Sequence, residues 1–246
     1  MPSEFDLVFE DFKIELIALE GMIGSLANVS GNIASARSRV AGANAATLLL
    51  AAMFEEFIRQ QVRAIFVAKA TSACSLEVFP KKIAGVVWRR SLERLSRASL
   101  DDLSSDPRSL NEKLKAVVDF CVAKDVTADV SDAVIHNEQN MRPEEMNSLF
   151  NRVGVSNMCA RSCAHAPLMA FLGCETEGSA DAELRARLED FFRRRNEIAH
   201  AVQLNSSSGP PALALDIALF RHFGEAIASE SASSCGLMSA DGPSTE

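Results

Sequence analysis

Arg195-Asn196-Glu197-Ile198-Ala199-His200 closes a segment whose apolar residues recur as Leu184, Leu188, Phe191, Ile198 and Val202. With Arg195 included the spacing alternates four and three, the pattern of one buried helix face. This stretch predicts a helix and, because similar stripes fill most of the chain, a helical fold. Arg195 breaks the stripe with a charge. A guanidinium does not lose its proton and is rarely buried alone, so the position calls for a carboxylate or a phosphate. Glu55 and Glu56, on a second predicted helix, are the carboxylates to test as partners. Asn196 and His200 lie at i, i+4 and point the same way, beside the stripe.

Working outward, residues 4 to 27 repeat Phe5, Phe9, Phe12, Leu16, Leu19, Ile23 and Leu26, a long amphipathic helix suited to packing along another helix or a second copy. A second helix is expected from Ala41 to Ala70 and a third, arginine-rich on one side, from Lys81 to Ala98. Asp106-Pro107 opens a fourth. Asp125 to Asn140 reads as loop, with an extended piece at Ala133-Val134-Ile135. Pro143 starts a helix closed by Gly154. Residues 157 to 173 read as helical, and Ser179 or Asp181 as the cap of the motif helix. Pro211 opens the last helix. Ser30-Gly31-Asn32 reads as a break, and residues 205 to 211 as a Ser/Gly/Pro loop. No linker is evident, so residues 1–230 read as one helical domain and 231–246 as a disordered tail.

Composition agrees. The 246 residues are 48% hydrophobic and 24% charged, enough apolar content for a substantial core. Twelve glycines, eight prolines, one tryptophan and no tyrosine argue against an all-β chain. A net charge of −8 excludes general adhesion to nucleic acid but not a locally basic site. Arg185, Arg187, Arg193, Arg194 and Arg195 form such a cluster. For Arg185 and Arg187 the plainer reading is pairing within the helix with Glu183, Glu189 and Asp190.

Met1 to Asp6 carries no basic segment and no signal-peptide core, and the apolar run Leu48 to Phe54 is too short to cross a bilayer. A cytoplasmic protein without membrane association is expected. The six cysteines are expected to be reduced. Cys159, Cys163, His165 and Cys174 have the residue types of a zinc site. They lack a C-x2-C knuckle, and Cys159 and Cys163 at i, i+4 suit an apolar helix face, so packed thiols are favoured over metal ligands.

Arg195-Asn196-x-x-x-His200, entered from Phe191-Phe192 and followed by Ala201, resembles the signature of the HEPN superfamily. Leu48 to Val62, running into Glu55-Glu56-Phe57-Ile58-Arg59, resembles the second helix of these domains. Met141-Arg142-Pro143, Leu149-Phe150 and Gly154-Val155-Ser156-Asn157 are similar to the larger branch that includes RiboL-PSP-type proteins. The resemblance implies an all-α, HEPN-like helical bundle with additional helices. It also implies a metal-independent endoribonuclease needing no cofactor, whose motif helices meet across a homodimer axis to form a composite cleft for RNA. Such domains serve as toxins of toxin–antitoxin pairs or as effectors of antiviral defence, which adds a cognate antitoxin or regulatory protein as a partner. Some members are catalytically silent modules that bind RNA or nucleotides, or only dimerise, and that reading stands as the alternative. A purely structural helical partner in a larger complex, suggested by the heptad-like first helix, is a second one.

On this resemblance His200 is expected to act as general base or acid on an RNA 2′-hydroxyl. Arg195 would stabilise charge on the phosphoryl oxygens, Asn196 would bind phosphate or orient His200, and Arg193 and Arg194 would hold further phosphate. On a straight helix Arg195 and His200 diverge by about 140°. Arg193 shares the face of Asn196 and His200, so whether Arg195 or Arg193 is the catalytic arginine stays open, as does supply of one group by a second protomer. His136, His165 and His222 lack such company and read as structural or surface residues.

Overall fold

A computed structural model describes residues 3–27, 33–73, 75–97, 107–137, 139–200 and 209–236. Among them are ten helices and no strand. They are α1 (Glu4–Ala27), α2 (Ile33–Ala73), α3 (Lys81–Arg97), α4 (Pro107–Cys121), α5 (Ser131–Ile135), α6 (Pro143–Arg152), α7 (Met158–Ser162), α8 (Ala166–Leu172), α9 (Glu177–His200) and α10 (Pro210–Ser234). The all-α expectation holds. The predicted break at 30–32, the Asp106 cap, Val202 and most of the 205–211 loop lie outside the described residues. By length and composition alone Ala36–Ala73 could span a membrane, with a mean hydropathy of 1.3 in its most apolar window, but half of that window is buried within the protein.

The chain divides into two compact units, the first made of Met1–Ile58, Gln139–Asn147 and Asn157–Glu246. Its core is aromatic. Phe12 stacks on Phe57 at 4.6 Å between ring centroids, Phe54 meets Phe220 at 4.4 Å, and Phe220 meets Phe191 at 4.8 Å. The α1 stripe points inward as its spacing requires, with Phe5, Phe12, Leu16, Leu19 and Ile23 buried. α1 packs along α10, and Gly224 is what lets them close up. A Cβ there would sit 3.2 Å from the rings of both Phe9 and Phe12. Arg221 adds an ion pair to Glu20 at 2.7 Å. α7 and α8 lie against α9 and α10.

The helical reading of 157–173 holds as two short helices, α7 and α8, separated because Pro167 has no N–H and its ring would collide with the carbonyl four residues back. Three expectations are corrected in this unit. α9 starts at Glu177, ahead of both predicted caps. Thr176 is the residue that accepts the Ser179 N–H, at 3.2 Å, while Asp181 turns to Arg185 at 2.9 Å. α2 begins at Ile33 rather than Ala41. The presumed tail is helical through Ser234: Ser231 is fully buried, and Arg161 of α7 holds Glu230 through its Nε at 2.6 Å.

The second unit comprises Arg59–Glu138 and Ser148–Ser156. Its core contains the triangle Phe66, Phe79 and Phe120, with ring centroids 5.6–6.2 Å apart. α3 packs against α4 and α5 through Ile83, Val87 and Ser91, one residue per turn. The extended piece expected at Ala133–Ile135 is instead α5. Asp129 Oδ1 accepts from the Ser131 backbone N–H (3.2 Å) and hydroxyl (2.6 Å), a local turn that starts a helix despite the β-branched residues that follow. The buried Arg152 closes the other end, donating through Nη1 to the Val134 and His136 carbonyls at 2.9 and 2.8 Å. Gly154 ends α6 as predicted. Its φ of +82° needs glycine, and Lys69 Nζ binds the neighbouring Val153 carbonyl at 2.6 Å.

Candidate active site

α9 carries every residue the motif singled out, and all of its described partners lie in the first unit. Ala180, Leu184, Leu188, Phe191 and Phe192 bury one side of it. Burial then fades: Arg195 and Ile198 are half-buried and His200 is exposed. The helix thus leaves the core as it reaches the motif.

Three consecutive arginines meet three different environments, because successive side chains on a helix turn by about 100°. Arg193 is exposed and bridges Asp190 and Glu197, the latter at 2.7 Å. Arg194 is largely enclosed. Its guanidinium forks onto the two oxygens of Asp216 on α10, at 3.0 and 2.9 Å, and its Nε reaches Asp190 at 2.9 Å. Hydrogen bonding to Asp216 pushes the Arg194 pKa further up. Burial pushes the Asp216 carboxyl up, and the arginine beside it only partly offsets this. Burial also acts to raise Asp190, but hydrogen bonds from Arg193 and Arg194 outweigh it and hold that carboxyl low.

Arg195 differs from both. No carboxylate pairs with it among the described residues, so neither Glu55 nor Glu56 is its partner. Its Nη1 donates to Asn196 Oδ1 at 3.3 Å, and its buried Nε finds no acceptor. Asn196 Oδ1 also accepts from Asn140 Nδ2 at 2.7 Å. With its carbonyl doubly engaged, the Asn196 amide is held in orientation, and what it has left to offer a ligand is its N–H donors. Beside this pair, Arg142 at the entry to α6 reaches Glu189 of α9 at 2.9 Å, anchoring the segment that presents Asn140. Neither Asn140 nor the Arg142–Glu189 link was singled out as part of the site from the sequence. They lie 56 and 47 residues from their partners, and no periodicity connects them.

The remaining arginines of the cluster pair within the helix, Arg185 with Asp181 and Arg187 with Glu183 at 2.7 Å. Glu189, expected among these partners, serves Arg142 instead. Cys159 and Cys163 are packed thiols: Cys163 Sγ donates to the Cys159 carbonyl at 3.2 Å, and burial pushes the two pKa values to about 12 and about 11. No group of three or more His, Cys, Asp or Glu side chains able to hold a metal occurs among the described residues. His222 lies against the Phe171 ring at 5.0 Å, and His165 is partly buried.

A sequence model described as RiboL-PSP-HEPN matches residues 27–231, most of the chain and all of α9. The chain belongs to the RiboL-PSP-HEPN family. No curated protein and no solved structure matches it. As a HEPN protein it carries the Arg-Asn-x-x-x-His element at the end of a long helix, and Asn140, from the stretch before α6, touches that element directly.

Proposed function

We propose that this HEPN protein is a metal-independent endoribonuclease whose phosphate-binding cation is Arg195. One observation carries the reading: of three adjacent arginines, Arg195 has no carboxylate among the described residues and sits half-buried beside an oriented amide. A cation kept short of counter-charge in a partly desolvated position favours an incoming anion more strongly than a paired surface arginine does. Arg193 can exchange its exposed carboxylates for phosphate at little cost. Arg194 cannot, because its fork is filled by Asp216, so the phosphate-binding role first assigned to it passes to a structural one.

In the proposed reaction His200 takes the proton of a ribose 2′-hydroxyl as its oxygen attacks the adjacent phosphorus. The O2′–P bond forms, the P–O5′ bond breaks, and the departing 5′-oxygen takes up a proton. Arg195 and Asn196 donate to the phosphoryl oxygens as charge builds on them. The products are a 2′,3′-cyclic phosphate and a 5′-hydroxyl, and DNA is not a substrate. The divergence of Arg195 and His200 around one helix favours a cleft completed by a second protomer. A cytoplasmic toxin or antiviral-defence effector restrained by a cognate antitoxin is the physiological setting that fits this activity.

The test is cleavage of labelled RNA in EDTA by wild type, Arg195→Ala and His200→Ala. Both variants should be inactive and folded. Cleavage that survives both, or that EDTA abolishes, rejects the mechanism, while RNA binding without any cleavage by wild type supports the silent-module alternative. Mixing the two inactive variants should restore about a quarter of wild-type activity if each site takes Arg195 and His200 from different protomers, since half of the dimers then hold one intact site. No restoration would show that each site uses its own pair.

A further inference from the structure

The strongest concentration of positive charge along the sequence falls on α3. Its 17 residues hold six lysines and arginines against one glutamate, in a chain with 25 basic and 33 acidic residues. α3 buries Ile83, Val87 and Ser91, and this rotation sends Lys82, Arg89, Arg90 and Glu93 to one side. There they form a groove of about 390 Å³ with Ser148, Asn151 and Arg152 of α6 as the opposite wall. Four cations line it against the single carboxylate of Glu93.

The hydrogen bonding inside the groove selects the sign of its ligand. Lys82 Nζ donates to Asn151 Oδ1 at 2.8 Å, turning the amide's acceptor to the lysine and leaving its N–H groups to donate. Arg89 gives its Nε to the Gly85 carbonyl at 3.2 Å and meets no carboxylate among the described residues. Arg90 reaches Glu93 only at 3.5 Å, both side chains being about half exposed, a pair easily exchanged. Donors therefore outnumber acceptors, which suits an oxygen-rich anion. Lys82 to Arg90 covers eight helical steps, about 12 Å along the axis, a row of cations rather than a pocket around one phosphate. In a chain of net charge −8 such a groove focuses the field on a polyanion.

The geometry points to this groove as a second nucleic-acid contact, one that grips the phosphate backbone of a single RNA strand and takes no part in cleavage. The choice of RNA rests on the reading of α9 given above; binding of a phosphate chain does not. A fluorescein-labelled 2′-O-methyl RNA oligonucleotide, which has no 2′-hydroxyl to attack, separates the two. Its anisotropy is followed with full-length wild type and with Arg89→Gln/Arg90→Gln across a salt series. The variant should bind about tenfold more weakly, and its slope of log affinity against log salt should be shallower by about 1.4, from two lost phosphate contacts on a single strand. The same decrement should persist in an Arg195→Ala background. Unchanged affinity and slope would overturn the proposal, whatever happens to cleavage. So would one-to-one calorimetric binding of tripolyphosphate that the variant abolishes while oligonucleotide binding is untouched, since the groove would then serve a small polyphosphate.

Discussion

Substituting Arg194 and Arg195 separately by methionine, which preserves much of the side-chain volume, should produce opposite defects. Arg194→Met strands Asp216, whose side chain is only 11% exposed and loses both ends of a bidentate fork. Removing one partner of a buried pair costs roughly 3–5 kcal/mol. The Arg194 side chain is itself 20% exposed, so the lower end, about 3 kcal/mol, applies. The loss should depend on pH. Burial already raises the Asp216 carboxyl, and without Arg194 it rises further. A carboxyl raised in the folded state contributes stability below its unfolded value and loses it as pH rises through the folded one, so Arg194→Met should be more destabilised at pH 8 than at pH 5. Arg195→Met strands no carboxylate and breaks one 3.3 Å hydrogen bond to an Asn196 carbonyl that keeps Asn140. Its cost should stay under about 1 kcal/mol, while RNA cleavage falls about 10²- to 10³-fold for loss of a transition-state donor. Urea denaturation at the two pH values and a gel assay on one RNA read both quantities. An Arg195→Met protein as unstable as Arg194→Met, or one that cleaves normally, refutes the assignment of roles.

Three further outcomes follow from the packing. Hydrogen bonds from Ser131 hold the Asp129 carboxyl below its ordinary range, so its contribution is present above the unfolded value of about 3.9 and disappears as pH falls through the folded one. The stability gap between wild type and Asp129→Asn, measured by urea unfolding, should therefore narrow below about pH 4, and a gap that widens there contradicts the turn. Iodoacetamide at pH 8 should leave Cys159 and Cys163 unmodified, their thiols buried and held at about 12 and about 11, while the partly exposed Cys174 and Cys235 react; peptide mass mapping of the native protein checks this. Gly224→Ala should cost about 1–3 kcal/mol by pressing a methyl group on the Phe9 and Phe12 rings, and Phe12→Leu should recover part of it. Additive losses in that pair would show that α1 and α10 are not in the close contact described.

The long helices were legible because their signal is local and repeated. Phe5 through Ile23, or Leu184 through Phe191, alternate four and three often enough that no tertiary contact is needed to assign them. What escaped were elements decided by a single side-chain contact. Val134 and Ile135 look like a strand until Asp129 and Arg152 bind the two ends of that turn. Thr176 outcompetes two better-looking caps because Asp181 is needed by Arg185. In the site the same distinction applies: Arg195, Asn196 and His200 were visible as a motif, yet Asn140 and Asp216 were not, being joined to it only through space.

That limit bears on how a run such as Arg193-Arg194-Arg195 can be interpreted at all. Sequence treats the three as equivalent cations, and composition treats them as one basic patch. The helix assigns each to a different direction, and the chemistry then depends on what waits there: Asp190 and Glu197 for the first, Asp216 for the second, an amide for the third. A paired arginine has already spent its electrostatic preference, so adding phosphate to it gains little beyond an exchange of anions. An arginine short of counter-charge gains the whole interaction. The same reasoning selects Arg89 over Arg94 on α3, since Arg94 already faces Asp132 at 3.9 Å while Arg89 meets only a backbone carbonyl. In an acidic chain of net charge −8 it is therefore the anions around each cation, not the number of cations, that single out Arg195 and Arg89 as the proposed contacts for phosphate.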